Sequence, residues 1–147
     1  MNLSKDFKEF AELLNRNQVK YLIVGGYALA YHGFPRFTGD IDFWLEKSEE
    51  NASKVIVALN EFGFGSLGIS KEDFMSDQVV QLGYPPQRID LLTSVSGIDF
   101  ESAWKQKEQM IYQDITLNFI DLEFLRKNKL ASGRNKDLDD LNHLPTD

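Results

Sequence analysis

Two aspartates separated by a single residue carry the clearest chemical signal in the sequence. Asp40 and Asp42 lie in the segment Asp40 to Leu45, whose apolar residues alternate as they do in a half-buried β-strand. On a strand, side chains two residues apart leave the same face, so the two β-carbons would stand roughly 7 Å apart. Two such charges repel each other unless a proton or a cation neutralises them. A pair of magnesium ions about 3.5 to 4 Å apart is the usual solution in phosphoryl-transfer sites; a solvated strand edge is the alternative interpretation.

A pair of glycines marks a second candidate feature. Gly25 and Gly26 follow the apolar run Tyr21 to Val24 and precede a short helix that we predict from about Tyr27 to Tyr31. Glycine lets an anion approach the backbone closely, and the first amides of a helix present a positive dipole end to it. The pair is therefore a candidate phosphate-binding turn, although a tight connection between strand and helix requires glycines equally.

Further polar residues accompany these two features. Arg36 and Thr38 precede the aspartates and add a fixed cation and a hydroxyl beside the carboxylates. Asp90 lies in the strand-like segment Gln87 to Thr93, between two apolar residues, where an acid without a partner would be costly. We therefore expect Asp90 to serve a site.

The remaining pattern predicts the elements that would position these residues. Helical spacing predicts helices over residues 4–16, 52–62 and 121–130, a helical turn over 100–105 and a last short helix around Leu138 and Leu141. Strand-like runs cover residues 19–24, 40–45, 78–82, 87–93 and 115–119, and the third and fourth of these are expected to form a hairpin, with a loop-rich zone over 63–77 before them. The prediction is a single α/β or α+β domain over residues 1–147, with flanking helices around one mixed β-sheet.

The composition bounds the class of protein. The 147 residues are 42% hydrophobic and 27% charged, which is typical of one compact domain. The chain has no cysteine and two histidines, so any metal would be held mainly by oxygen ligands, as magnesium is. No apolar stretch approaches the roughly 20 residues of a membrane helix, and the first residues lack the pattern of a signal peptide. We therefore expect a cytoplasmic protein with no membrane contact.

The order of these features resembles the nucleotidyltransferase superfamily with the polymerase-beta-like fold. The carrying residues are the glycine pair Gly25-Gly26 after a strand, the pair Asp40 and Asp42, and Asp90 on a later strand. More narrowly, the segment VGGYALAYHGFPRFTGDIDFWL is similar to small bacterial nucleotidyltransferase-like proteins grouped with the AbiEii-type toxins of abortive-infection systems. The tail NKLASGRNKDLDDL looks like the end of those domains, so the resemblance covers most of the chain.

The resemblance implies an activity and roles for individual residues. The activity is the magnesium-dependent transfer of a nucleoside monophosphate from a nucleoside triphosphate to a hydroxyl acceptor, which could be an RNA end, a protein or a small molecule. Asp40, Asp42 and Asp90 would hold two magnesium ions, and Asp90 would also help to deprotonate the attacking hydroxyl. Gly25 and Gly26 would contact the nucleotide phosphates. The further nucleotide-binding candidates are Arg36, Thr38, Lys129 and Arg134.

The last of these candidates belong to a basic segment in an otherwise acidic chain. The net charge of −7 argues against binding of nucleic-acid backbones over the whole surface, yet five of the 16 basic residues lie within residues 126–136, with no acid among them. They are Arg126, Lys127, Lys129, Arg134 and Lys136. In one interpretation Lys129 and Arg134 fold over the site and steer a triphosphate or a nucleic-acid acceptor. In the other they form a solvated helix end, where cations offset the carbonyl dipole and the following aspartates pair with them.

One departure from the family pattern opens a second hypothesis. Many active members carry Gly-Ser where this chain has Gly25-Gly26, and the serine hydroxyl touches a phosphate. Backbone amides and Arg36 could compensate for its absence. The alternative is a catalytically weak module that binds a nucleotide or a partner protein. The resemblance by itself also suggests one half of a toxin and antitoxin pair, with a cognate protein as its partner.

Overall fold

Helices and strands alternate along most of the chain. This computed structural model describes residues 1–34 and 38–145, so Arg36, one of the nucleotide-binding candidates, lies outside the described residues. The helices are α1 (Lys5–Arg16), α2 (Gly25–Tyr31), α3 (Glu49–Phe62), α4 (Phe100–Lys105), α5 (Leu122–Ser132) and α6 (Asn135–His143). The strands are β1 (Tyr21–Val24), β2 (Asp40–Leu45), β3 (Val79–Tyr84), β4 (Gln87–Leu92), β5 (Glu108–Tyr112) and β6 (Ile115–Phe119). Within the described residues, no helix combines the length and the apolar character needed to cross a membrane.

The described strands form one mixed sheet. Their order is β3-β4-β2-β1-β6-β5. The pairs β2/β4 and β1/β6 are parallel, whereas β1/β2, β3/β4 and β5/β6 are antiparallel. The predicted mixed sheet with flanking helices is confirmed, as is the predicted hairpin, which is β3/β4. The parallel pair β2/β4 carries the three candidate carboxylates, Asp40, Asp42 and Asp90.

One face of the sheet is closed by α1 and α3. The apolar side of α1 follows from its helical spacing, and Ser4 starts the helix by accepting a hydrogen bond from the backbone N–H of Phe7. The ring of Phe10 in α1 lies 5.6 Å from that of Phe43 in β2 and 5.2 Å from that of Phe62 in α3, measured between centroids. Phe10 and Phe43 are fully buried, and burial of each such ring stabilises the fold by about 1.5 to 3 kcal/mol.

The opposite face of the sheet is covered at only one end of β2. Asp40, Asp42 and Trp44 alternate along β2 and therefore share this face. Trp44 is 2% exposed and packs edge-on against Phe100 of α4, with ring centroids 5.1 Å apart. The other end of the strand, which carries the two aspartates, is only partly covered. The sheet thus presents its acidic end to an open cleft.

Two helices begin earlier than the sequence predicts. Helix α2 starts at Gly25 instead of Tyr27, since Gly25 has a φ of 69° and the chain turns from strand into helix without a spacer. Helix α3 starts at Glu49 instead of residue 52, because Ser48 caps it by accepting a hydrogen bond from the backbone N–H of Asn51. The loop-rich zone predicted over residues 63–77 contains two short 3-10 helices, Gly65–Leu67 and Lys71–Phe74.

Strand β5 has no counterpart among the predicted elements. It is an edge strand paired with β6 from Glu108 opposite Phe119 to Tyr112 opposite Ile115. Its alternation is hidden because Ile111, on the exposed side, is 74% exposed and stands among other apolar residues. An edge strand pairs with a neighbour on one side only. Its solvent-facing residues can be polar or apolar, so a clean alternation does not mark it in the sequence.

Candidate active site

Three carboxylates from two neighbouring parallel strands share one face of the sheet. In the register of β2 and β4, Asp42 lies opposite Asp90, and Asp40 lies opposite Arg88. The carboxyl of Asp90 lies close enough to that of Asp42 to raise the pKa of Asp42. The structure therefore brings together the three acids that lie in separate segments of the sequence.

Arg88 is the site residue that sequence reasoning missed. Its Nε donates to Asp90 Oδ1 at 2.7 Å, and its Nη2 donates to Asp90 Oδ2 at 3.1 Å and to Asp40 Oδ2 at 2.9 Å. The signal was available, because Arg88 stands two residues before Asp90 on a predicted strand and so shares its face. What the sequence did not reveal is that Asp40 comes within reach of the same guanidinium.

Asp42 lies in a strongly acidic environment. Its pKa is raised to about 7, first by burial, then by the charge of Asp90 and the hydrogen bond to it, and by the charge of Asp40. The Arg88 guanidinium acts in the opposite direction without cancelling these effects. Near neutral pH the cluster therefore either retains a proton or requires additional positive charge.

The donor chemistry of this cluster suits a divalent cation. Among residues 1–34 and 38–145, no three acidic or histidine side chains converge closely enough to hold a metal ion as they stand. Arg88 forms ion pairs with Asp40 and Asp90, two of the three acids. With all three acids ionised, Arg88 leaves two negative charges without compensation, and carboxylate oxygens are the ligands that Mg²⁺ prefers. The ligand type and the net charge of Asp40, Asp42 and Asp90 thus match a hard divalent ion, although the three side chains do not converge on one point in this structure.

Both the backbone conformation and the lack of space for a side chain require a glycine at position 25. Its φ of 69° lies in the left-handed region that other residues rarely adopt. A β-carbon at this position would also collide with Oδ2 of Asp42. The bare backbone of the turn therefore lies directly against one of the candidate carboxylates.

Gly26 is explained by Thr38. A β-carbon built on Gly26 would lie 2.7 Å from Thr38 Oγ1 and 2.9 Å from Thr38 Cβ. The threonine side chain thus fills the space that a serine at position 26 would occupy. Its hydroxyl donates to the backbone carbonyl of Asp40 at 3.1 Å, which fixes it beside the aspartates. Thr38 thus leaves no room for a side chain at position 26 and places its own hydroxyl beside the glycine pair.

The basic segment divides into an inner group and an outer group. The inner group, Lys129, Arg134 and Lys136, lines a cleft, and the outer group is Arg126 and Lys127. Lys129 is 5% exposed, and its Nζ lies 3.3 Å from Asp137 Oδ1 and 3.1 Å from Asp140 Oδ2. Arg134 reaches the same Asp137 through Nε at 2.6 Å. The aspartates that follow the segment therefore do pair with its cations, yet Lys129 is buried and is not part of a solvated helix end.

The outer group makes its contacts away from the acidic cluster. Arg126 donates to the backbone carbonyls of Leu141 and Pro145, and Lys127 pairs with Glu123 of its own helix. Arg126 thus connects α5 to the end of α6, whereas the contact of Lys127 lies within α5. Neither residue takes part in lining the two cavities described next.

A cleft joins the acids, the glycines and the inner cations. Its volume is about 780 Å³, and it adjoins a second cavity of about 590 Å³. Both cavities are lined by Gly25, Asp42, Leu92, Lys129 and Arg134. The larger one adds the remaining acids, Gly26 and Thr38, together with Arg88 and Lys136. Of the predicted site residues that the structure describes, all therefore line one connected cleft.

Comparison with known proteins places this arrangement in a family. A family model described as "Nucleotidyltransferase of unknown function (DUF6036)" matches residues 1–144. No curated protein sequence matches the chain significantly.

Two solved structures share the fold. A provisionally assigned nucleotidyltransferase (TM1012) from Thermotoga maritima superposes with a TM-score of 0.61 at 15% identity, covering 92% of this chain and 88% of that one. The lincosamide antibiotic adenylyltransferase LnuA, bound to lincomycin, superposes with a TM-score of 0.56 at 16% identity, covering 99% of both chains. At these identities the likeness concerns the fold.

Proposed function

The chain belongs to the nucleotidyltransferase family DUF6036, and from this membership we propose that it transfers a nucleoside monophosphate from a nucleoside triphosphate to a hydroxyl acceptor with the help of magnesium. One observation carries the proposal. Asp40, Asp42 and Asp90 meet on adjacent parallel strands inside a cleft that also contains a bare glycine turn and four cationic side chains. Acids without such cations would repel a triphosphate, and cations without the acids would bind it without activating it.

The three carboxylates are the residues that would hold the metal. When bound, magnesium would offset the negative charge of the phosphates and the charge that develops on the leaving pyrophosphate. Asp42 is the central ligand in this proposal, since it shares β2 with Asp40 and lies opposite Asp90 on β4.

The triphosphate would be bound by the backbone and by the cations of the tail. The main chain of Gly25 and Gly26 lines the cleft, so the phosphates would meet backbone there and no side chain of these two residues. Lys129, Arg134 and Lys136 line the same cleft. Lys129 is held in place by the buried Asp137 and Asp140, so its ammonium group is oriented before any ligand arrives.

Asp90 is the proposed general base. Its carboxylate would accept the proton of the acceptor hydroxyl, the freed oxygen would form a bond to the α-phosphorus, and the bond from that phosphorus to the bridging oxygen would break. Pyrophosphate leaves with the electron pair of that bond. No covalent link to the protein is needed.

Thr38 favours this proposal over the catalytically weak module. That hypothesis depends on the absence of a serine hydroxyl at position 26. The Thr38 hydroxyl lies 2.7 Å from the position of a β-carbon at Gly26, and Thr38 lines the cleft, so it could supply the missing contact. The AbiEii-type assignment, the toxin and antitoxin role and the cytoplasmic location stay predictions of the sequence.

Binding of a triphosphate tests the metal-binding acids. We expect calorimetry to detect Mg²⁺-dependent binding of a nucleoside triphosphate that D40N/D42N abolishes. The matched control is D114N, which removes an exposed acid that pairs with Lys8. Equal affinity in D40N/D42N and in the unmodified protein would rule out the proposed site.

Transfer is tested with labelled substrates. The protein is incubated with each of four triphosphates labelled at the α-phosphate, together with a cell extract, and the label is then sought in RNA, protein and small molecules. Label in any of these fractions that D90N lacks supports an enzyme. Tight binding with no transfer would instead support the module.

A further inference from the structure

Arg88 occupies the oxygens that a metal would need. Its guanidinium makes three hydrogen bonds of 2.7 to 3.1 Å to oxygens of Asp40 and Asp90. The side chain is 24% exposed, against 10% for Asp90. Such charge-assisted contacts between a planar fork and carboxylates are among the strongest polar contacts in proteins.

The sheet register explains why one arginine reaches both acids. Arg88 stands opposite Asp40 across the parallel pair and two residues before Asp90 on its own strand. Both acids therefore lie on its face of the sheet, one on each side. A lysine would present a single point of charge here, whereas Arg88 presents two donor nitrogens in fixed directions.

We propose that Arg88 is a resident cation that orients Asp40 and Asp90 in the metal-free protein and must withdraw from them before they can bind a divalent ion. This inference rests on the proposed function, since it concerns the same carboxylates. Arg88 is a positioning residue in this scheme. Two properties follow, which are a lowered affinity for the free ion and a metal-free protein that is less stable without Arg88.

Titration with Mg²⁺ alone, without nucleotide, measures the competition. We expect R88Q to bind Mg²⁺ about tenfold more tightly than the unmodified protein, because two carboxylates no longer share their oxygens. R88K, which keeps the charge but loses the fork, should fall between the two. R16Q is the matched control, because Arg16 pairs with Glu12 on the exposed side of α1, and its affinity should not change.

Each other outcome has a defined meaning. Unchanged or weaker Mg²⁺ binding in R88Q overturns the inference, and R88K equal to the unmodified protein overturns the role of the fork. If R88Q does not fold, R88K carries the test with an expected gain of about threefold. The proposed function fails differently, since then no variant, including the unmodified protein, binds Mg²⁺ at these acids.

A spectroscopic measurement follows the guanidinium itself. In the metal-free protein the Nε–H of Arg88 is bonded to Asp90, so its NMR signal should exchange slowly with water. Saturating Mg²⁺ should accelerate this exchange at least tenfold while leaving the backbone amides of β4 protected. A merely structural Arg88 would keep its slow exchange with metal bound, and that result would overturn the proposal.

Discussion

At the scale of single residues, the pair Gly26 and Thr38 shows how the side chain at one position limits the side chain at another. The space of a side chain at position 26 is filled by the threonine. A serine introduced there would meet Thr38, so two hydroxyls cannot be accommodated at once. The sequence offered both residues as candidates but could not show that they share one space, because they belong to different segments.

The exchange of these two side chains is a direct test. We expect T38V, which keeps the shape but removes the hydroxyl, to weaken binding of the magnesium triphosphate about five- to tenfold, the usual cost of one polar contact. G26S alone should lose at least as much affinity through steric conflict. G26S/T38G should recover affinity relative to both single variants, as measured by calorimetry.

Additive losses in G26S/T38G would contradict the shared role of these two hydroxyl positions. Circular dichroism spectra of the three variants should match that of the unmodified protein. This control separates a local loss of contact from a change of fold.

Arg88 marks the limit of residue-level reasoning. Alternation along a predicted strand places Arg88 and Asp90 on one face, and that much is readable from the sequence. The contact with Asp40 depends on β2 and β4 being neighbours, which no local pattern encodes. Partners within one element can therefore be predicted, whereas partners across elements require the structure.

At the scale of elements, α5 and α6 form a clamp around a buried ion cluster. Lys129 of α5 is enclosed by Asp137 and Asp140 of α6, both fully buried. The pKa of Asp137 is lowered, because the cations Arg134 and Lys129 outweigh the opposite effect of its burial. The aspartates of the tail were expected only as surface partners, since the sequence does not reveal which helix faces are covered.

Removing one acid of this cluster should destabilise the whole protein. We expect D137N to lower the free energy of unfolding by about 2 to 4 kcal/mol, because Lys129 keeps its buried charge while losing one of its two aspartates. The measurement is urea unfolding at pH 7, with an unchanged dependence on denaturant. D139N is the control on the same helix, since Asp139 is 67% exposed and should cost less than about 0.5 kcal/mol.

A loss in D137N no larger than in D139N would mean that the cluster contributes nothing to stability. Triphosphate affinity measured on the same two proteins then shows whether the clamp also orients Lys129. D139N should bind as the unmodified protein does, and D137N more weakly.

At the scale of the whole molecule, topology creates the site. The elements themselves were largely predictable, since each depends on local spacing and caps, and the exceptions were the edge strand β5 and the starts of α2 and α3. The strand order β3-β4-β2-β1-β6-β5 was not predictable. It depends on long-range packing, and together with the register of β2 and β4 it places Asp90 beside Asp42.

This arrangement predicts that a bound triphosphate contacts both the central strands and the C-terminal helices. The acids lie on β2 and β4, whereas Lys129, Arg134 and Lys136 lie in the α5–α6 region of the same cleft. We expect a magnesium-bound, non-hydrolysable triphosphate at 100 times its Kd to stabilise the protein by about 2.7 kcal/mol. Hydrogen exchange should slow in α5 and α6 as well as in β2 and β4, because one ligand contacts both regions.

The corresponding monophosphate separates the two contacts. It lacks the phosphates that the tail cations would bind, so with magnesium it should protect β2 and β4 while leaving α5 and α6 unchanged. D40N/D42N should show neither effect with the triphosphate. Protection by the triphosphate that is confined to the strands would mean that the basic segment stands apart from the nucleotide, and the cations of the cleft would then have to serve the acceptor.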